Sequence, residues 1–347
     1  LQPESDDTPV HSFGEEEPVA LTSVQAYAGA IGAGSKAGIG AVLAVNYITD
    51  HYEAGIVDSN VVSNNGNIIL KALSNTGITT GSAALAGSGK LAFAGSVSIN
   101  LIQNEVRSFI HNSVVYSGNS DSTVINGNYP GITVIAGDNS NILSISGQVN
   151  ISGKAGIGAA SAYNEIANEM EAYIDGNSHV TTLSYVTVGA NSDSEILTFA
   201  VGGGFGGKVS GNGSIAINTI LNDIRAYIKG SVVVAKYDIS LNAADRSQIG
   251  AIAGALGISG TAAVGGSVAI NFIGGANASS PQKVLAYIEN SRVVSELGNI
   301  AIKALSDAVI KSISATGGFS GKVAVNGSVS INWIYTDIAA YIENCIG

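Results

Sequence analysis

The segment Gly-Ser-Ile-Ala-Ile-Asn at residues 213–218 recurs as Gly-Ser-Val-Ala-Ile-Asn at 266–271 and as Gly-Ser-Val-Ser-Ile-Asn at 327–332. In each copy small or polar residues alternate with branched apolar residues, and the run ends on asparagine. An alternation with a period of two is typical of a β-strand whose two sides meet different surroundings. The recurrence of the segment indicates an array of equivalent β-units along the chain.

The terminal asparagine marks six units with a period of about 54 residues. This asparagine column contains Asn46, Asn100, Asn164, Asn218, Asn271 and Asn332. A lysine stands ten residues before five of these asparagines, and Thr261 takes its place in the other unit. This lysine column contains Lys36, Lys90, Lys154, Lys208 and Lys322. The glycines and serines that precede these lysines predict tight turns.

Four strand candidates in each unit, rich in Val, Ile and Tyr, predict an all-β fold. Both segments flanking the Ser-Gly-Lys turn are rich in Gly, Ala and Ser, whereas the other two segments carry larger side chains. Pairing like with like favours an elongated array of bent antiparallel strands, a hairpin meander of six repeats. The alternative is a parallel β-solenoid in which each half-unit of about 27 residues forms one coil and the asparagines stack as a ladder.

The sequence predicts two regions in the chain. Residues 1–20 form an acidic lead-in with an N-terminal strand, and residues 21–347 form one continuous β-repeat array. The lead-in carries five closely spaced carboxylates, which predict a solvated segment. These residues are Asp6, Asp7, Glu15, Glu16 and Glu17.

Charge and composition argue against several functional classes. The net charge is −11, charged residues make up 12% of the chain, and lysines and arginines form no cluster, so we predict no nucleic-acid partner. Apolar runs stop well short of the roughly 20 residues of a transmembrane helix, so we predict no transmembrane segment. The four histidines lack metal-ligand spacing, and no single unit holds a unique polar cluster. We therefore predict no metal, no cofactor, no catalytic residues and no enzymatic activity.

Self-association is predicted from three features. Strands made almost entirely of small residues, such as 26–35, are able to stack closely as in silk, which predicts lateral contacts. The segment 18–22 would complete the last unit of a neighbouring subunit and produce a head-to-tail homopolymer. A truncated longer array would have the same open ends. Cys345 is the one cysteine. It predicts an intermolecular disulfide, with an inert free thiol as the alternative.

Two families of surface protein resemble this sequence. The segments Ala-Tyr-Ile-Glu-Asn-Ser (286–291) and Gly-Asn-Ile-Ala-Ile-Lys-Ala (298–304) look like repeats of bacterial filamentous adhesins, including leukotoxin-like exoproteins. The modest size, silk-like strands and lone cysteine are similar to the hoop-forming sheath proteins of methanogenic archaea. Both resemblances imply a repetitive β-protein located outside the cell or at its surface.

The function expected from the sequence is that of a structural subunit of an extracellular polymer, such as a sheath, surface layer or filament. Its partners would be further copies of the chain, and other cell-envelope components are additional candidates. A fragment of a filamentous surface adhesin is the alternative, and a carbohydrate-active β-helix is the third reading.

Overall fold

A computed structural model describes residues 21–118, 131–275 and 280–346, which consist of strands, turns and bends without helix. The strands form four sheets, named A to D in the order in which the chain enters them. Sheet A contains β1 (Thr22–Gly34), β5 (Ile68–Ser88), β9 (Ile132–Ser152), β13 (Val186–Gly206), β17 (Ile239–Ser259) and β21 (Ile300–Ser320). Sheet B contains β2 (Ala37–Ile48), β6 (Leu91–Ile102), β10 (Ala155–Ile166), β14 (Val209–Ile220), β18 (Ala262–Ile273) and β22 (Val323–Ile334).

Sheets C and D complete each repeat. Sheet C contains β3 (His51–Val57), β7 (Glu105–His111), β11 (Glu169–Asp175), β15 (Asp223–Lys229), β19 (Gln282–Glu289) and β23 (Thr336–Glu343). Sheet D contains β4 (Asn60–Ser63), β8 (Val114–Ser117), β12 (His179–Thr182), β16 (Val232–Ala235) and β20 (Arg292–Ser295). The chain passes through A, B, C and D in turn and then starts the next coil.

Every strand pairs in parallel with the equivalent strand of the next coil, so the fold is a β-solenoid. Residues of the asparagine column face each other directly, as in the pairing of Asn164 with Asn218. The preferred antiparallel arrangement is therefore wrong, and the solenoid alternative is confirmed as the fold. One coil takes the whole repeat of about 54 residues and not half of it, because each strand pairs with its equivalent one whole repeat away, after the chain has passed through all four sheets.

The antiparallel prediction is wrong because segments that pack against each other across the interior are not hydrogen-bonded neighbours in one sheet. The two small-residue segments around each Ser-Gly-Lys turn do lie against each other, but they meet side chain to side chain across the interior. Their backbone hydrogen bonds go instead to the same segment of adjacent coils. The alternating segments 196–201 and 239–243 are not separate strands but parts of the longer strands β13 and β17.

Each coil has a thin part and a thick part. The thin part, here named the blade, consists of sheet B and the second half of sheet A, which is 196–206 in the fourth coil. The thick part, named the head, consists of the first half of sheet A with sheets C and D. A row of buried isoleucines from sheets A and B lies at the boundary between the two parts and includes Ile166 and Ile196.

The blade is thin because its interior side chains are small. Alanines from the two sheets pack against each other there, including Ala200 and Ala216. Nearer the turn, a Cβ atom at Gly40 would overlap the carbonyl oxygen of Leu85 in the opposite sheet, and one at Gly38 would overlap that of Gly87. The absence of a side chain at these positions therefore lets the two sheets approach almost to backbone contact.

The asparagine column runs through the blade interior as a continuous chain of hydrogen bonds. Asn46 Nδ2 donates to Asn100 Oδ1 at 2.8 Å, and the same bond repeats to Asn332 at 2.7–2.8 Å. The second N–H of Asn164 goes to Thr198 Oγ1 on sheet A at 2.7 Å. Because an amide both donates and accepts, identical asparagines satisfy one another when they are stacked in register.

Two further ladders occupy corners of the coil. Between sheets B and C, the Oδ1 atoms of Asn104, Asn168 and Asn222 each accept a backbone N–H from the preceding coil. Between sheets C and D, serines such as Ser178 and Ser231 do the same with their hydroxyl oxygens. These ladders satisfy backbone donors where the chain bends away from regular strand pairing.

The head holds the larger apolar core. Buried valines, isoleucines and a methionine from sheets A, C and D fill it, including Val188, Met170 and Val180. The turn that follows each strand of sheet C places one or two residues in the left-handed region, for example Asn177 at φ 61° and Gly230 at φ 57°. Asn, Asp and Gly tolerate that backbone conformation better than other residues.

We expect Asn164→Ala to lower the free energy of unfolding by about 2–4 kcal/mol, because it leaves buried amide and hydroxyl groups of neighbouring coils without partners. Urea unfolding followed by circular dichroism measures the change. Asn139→Ala is the matched control, since Asn139 is exposed on sheet A, and it should change stability by about 0.5 kcal/mol or less. Equal effects of the two substitutions would contradict a stabilising role of the ladder.

Candidate functional site

The outer surface of sheet B is apolar, although it faces away from the protein interior. This surface is named face B and consists of the outward side chains of the six strands of sheet B. Ile39 and Leu43 are 68% and 65% exposed on it. Glu165 is the one charged residue among these outward positions. Large apolar residues are thus outside the blade and small or polar ones are inside, the reverse of the usual distribution.

The opposite side of the blade has the same character. This surface is named face A and consists of the outward side chains of sheet A that are in register with 197–205. Tyr27 and Ile31 are 73% and 79% exposed on it. Lys311 is the one charged residue among these positions. The blade therefore presents two different apolar surfaces on opposite sides.

Each surface is large enough for a stable protein contact. Six strands spaced by about 4.8 Å, with ten to twelve residues each at about 3.3 Å, cover about 1000 Å² per face. The largest apolar patch of a typical monomer is about 300–600 Å². A standard interface buries about 800 Å² on each partner. Both faces therefore have the size of interaction surfaces.

Ridges and grooves run along both faces parallel to the solenoid axis. On face B, a column of small residues lies between two columns of larger ones, and it consists of Ala41, Gly95, Ala159, Gly213, Gly266 and Gly327. A Cβ atom added at Gly95 or Gly266 would meet no other atom within 4 Å, so the groove is open there. Face A carries a comparable column of small residues that includes Gly147 and Gly254, but Val201 interrupts it between those two glycines.

The outer surface of the head is charged. Along one column of sheet C, Arg107, Glu171 and Arg225 alternate in sign, with Arg225 Nη1 3.1 Å from Glu171 Oε1. Desolvation of the carboxyl and the neighbouring Glu169 raise the pKa of Glu171, and the two arginines oppose that shift. Alternation avoids the repulsion of stacked like charges. The molecule is therefore amphipathic, with a polar head and an apolar blade.

A ladder of aromatic rings also lies on sheet C. Phe109, Tyr173, Tyr227, Tyr287 and Tyr341 stack with centroids 4.9–5.1 Å apart and nearly parallel planes. Burial raises the pKa of the Tyr173 and Tyr287 hydroxyls to about 12. Because each ring covers the face of the next, the ladder presents ring edges to its surroundings and offers no flat platform on which a sugar would stack.

The corner between sheets B and C forms an open groove of about 640 Å³ across five coils. Three of its carboxylates, Glu105, Glu169 and Asp223, stack in one column, and a fourth, Asp50, accepts a hydrogen bond from the Tyr52 hydroxyl at 3.2 Å. Arg107 pairs with the two glutamates, Arg225 and Lys283 pair with Asp223, and His51 Nδ1 lies 3.1 Å from Glu105. The three stacked carboxylates are thus engaged in ion pairs, which is unlike the arrangement of a free acid and base for glycoside cleavage.

A carboxyl group is buried where the blade meets the head. Asp245 accepts hydrogen bonds from Ser247 at 2.7 Å and from Ser306 at 3.0 Å and has no cationic partner among the described residues. Burial raises the pKa of this carboxyl to about 6, although its hydrogen bonds oppose the shift. Asp138 occupies the equivalent place two coils earlier, and burial raises the pKa of its carboxyl as well.

The structure separates the residues singled out in the sequence. The asparagine column is inside the blade, the lysine column lies exposed along the turn between sheets A and B, and Cys345 is an exposed free thiol beyond β23 in the head. The segment 18–22, proposed to complete a neighbouring unit, lies almost wholly outside the described residues. The small residues of 26–35 either line the blade interior or alternate outward with Tyr27 and Ile31.

The described residues contain no group of His, Cys, Asp and Glu side chains placed to hold a metal ion. They also include no helix with the length and hydropathy needed to cross a bilayer. Comparison with family models, curated proteins and solved structures finds no match to this chain. The functional interpretation therefore rests on the geometry of the chain itself.

Asp245 makes stability depend on pH. The pKa of the Asp245 carboxyl is about 6 in the folded protein and about 3.9 in the unfolded chain. Its contribution to the free energy of unfolding is therefore complete below about pH 3.9 and is lost as the pH rises through about 6. Asp245→Asn imitates the protonated carboxyl. We expect it to raise the free energy of unfolding by up to about 3 kcal/mol at pH 8 and by almost nothing at pH 4. Urea unfolding of both proteins from pH 4 to 8 measures this, and a difference independent of pH would refute the assignment.

Proposed function

We propose that this protein is a structural subunit of an extracellular polymer and that subunits associate laterally through the two apolar faces of the blade. The observation that carries the proposal is the reversed distribution of side chains in the blade. Exposure of about 1000 Å² of apolar surface on each side is unfavourable in water, and contact with another blade removes it. The protein acts in this proposal through assembly and not through catalysis.

The geometry favours a contact of face A on face B. These faces differ in sequence and lie on opposite sides of one blade, so a contact between them is heterologous and leaves a free face at each end. Such a contact does not close, and repetition generates a stack of subunits. The ridges and grooves of both faces run in one direction, which allows the large side chains of one face to enter the small-residue groove of the other.

Two alternative functions, membrane binding and a role as an adhesin fragment, predict different behaviour of these apolar faces. A lipid surface would also cover apolar side chains, and it would do so at low protein concentration without contacts between subunits. A fragment of an adhesin would behave as a dispersed rod. Self-assembly is favoured because both sides of the blade are apolar along its full width, whereas binding to a single partner or to one membrane surface requires one side.

The test uses one substitution on each face. Ile145→Lys places a charge on face A and Ile215→Lys places one on face B, at outward positions where the fold is not disturbed. We expect the native chain to form large assemblies in sedimentation velocity and each variant alone to remain monomeric. A mixture of the two variants should form dimers and nothing larger, because each retains the face that the other lacks.

Asn139→Lys is the control, since it adds the same charge to the exposed head surface of sheet A and should assemble like the native chain. A native chain that stays monomeric at high concentration would refute lateral assembly. Dimers formed by either variant alone would refute the A-on-B contact. Binding of the native monomer to lipid vesicles, lost in both variants, would favour a membrane surface as the partner.

Cys345 supplies a second contact that is separable from the blade. The thiol is exposed in the head, and we expect it to join two subunits covalently under oxidising conditions. Cys345→Ser should remove the dimer band from a non-reducing gel without changing lateral assembly in sedimentation velocity. A native protein that shows no such band after oxidation would contradict the intermolecular disulfide.

A further inference from the structure

The turn at the tip of the blade carries a straight row of lysines that the sequence shows only as separate residues. Lys36, Lys90, Lys154 and Lys208 occupy four consecutive coils, Thr261 the fifth and Lys322 the sixth. Backbone bonds fix their register, since Ala155 N donates to Lys90 O and Val209 N to Lys154 O, both at 2.9 Å. Neighbouring lysines are therefore one strand spacing apart, about 4.8 Å.

This row differs from the charged columns of the head. There, opposite charges alternate or pair across columns, whereas no ion pair within the described residues joins an acidic group to any lysine of the row. The blade faces beside the row carry Lys311 and Glu165 as their charged residues. Five like charges are thus stacked without a protein counterion in a chain whose net charge is −11, and an anionic partner would relieve their mutual repulsion.

We propose that the lysine row binds a linear polysaccharide that carries carboxylate groups. The row is straight, one residue wide and six coils long, which suits an extended chain with regularly spaced single charges. It lies on the edge between the two faces, so it stays accessible when both faces are covered by neighbouring subunits. Binding at this edge would connect the assembly to an anionic matrix outside the cell.

The spacing of the charges argues against a nucleic acid. Duplex DNA carries one charge per about 1.7 Å of its axis, nearly three times the density of the lysine row. Most phosphates would then lack a lysine and would face a protein of the same sign. An anionic membrane is a flat surface, whereas the lysine row is one residue wide. Only a narrow line of the membrane would therefore contact the lysines.

Binding is measured with immobilised polygalacturonate, and its methyl ester serves as the uncharged ligand of the same backbone. We expect Lys90→Gln with Lys154→Gln to weaken binding about thirtyfold, since a lysine near an anionic surface contributes about fivefold. Thr261→Lys fills the gap in the row and should strengthen binding about fivefold. Replacement of Lys90 and Lys154 by arginine should preserve it, and the ester should not bind.

Lys71→Gln with Lys303→Gln is the matched control, because both lysines are exposed on the head and the change in net charge is identical. Equal loss in this control would show a non-specific charge effect and refute the site. Tighter binding of duplex DNA or of anionic vesicles than of polygalacturonate would refute the choice of partner. Sedimentation velocity of every variant measures lateral assembly independently of polysaccharide binding. The lysine substitutions should leave lateral assembly unchanged.

Discussion

In-register parallel pairing is the constraint on which the rest of this structure depends. Each residue lies about one strand spacing from its equivalents in the adjacent coils, so every column must be compatible with copies of itself. Asparagine meets this condition because its amide donates and accepts, as in Asn100 and Asn164. Isoleucine and tyrosine meet it by stacking, and charged columns meet it by alternation, as in Arg107 and Glu171, or by ion pairs to a neighbouring column, as in Glu105 and Arg107. The lysine row at the blade tip does not follow this pattern, because like charges are stacked there without ion pairs among the described residues.

The thin blade follows from the same constraint. A ladder of amides and hydroxyls needs its two sheets close together, and alanine and glycine permit that distance where larger residues would not. The interior of the blade is then full, and the large apolar side chains of these strands lie outside. The asparagine ladder inside and the apolar side chains outside together produce a blade whose amide ladder is hydrogen-bonded but whose outer surface is unfavourable in water when the subunit is isolated.

The sequence predicted the β-class, the repeat and the turns, because strand alternation and glycine-rich turns are local signals. It could not determine how the strands pair, since the glycine-rich segments 202–206 and 209–213 would fit either as neighbours in one sheet or as partners across an interior. The apolar faces were visible in principle: Leu91, Phe93 and Val97 alternate with Ala and Ser in β6. Their outward direction depends on which side of the strand meets the second sheet, and that is decided by the whole coil.

Electron cryomicroscopy of the native assembly, at a resolution that shows side chains, would show directly which surfaces of the blade join the subunits. We expect face A of one subunit to pack on face B of the next, with the asparagine ladder dry inside each blade and the heads at the outside. Subunits joined through their heads, with the apolar faces of the blades left in contact with solvent, would contradict it.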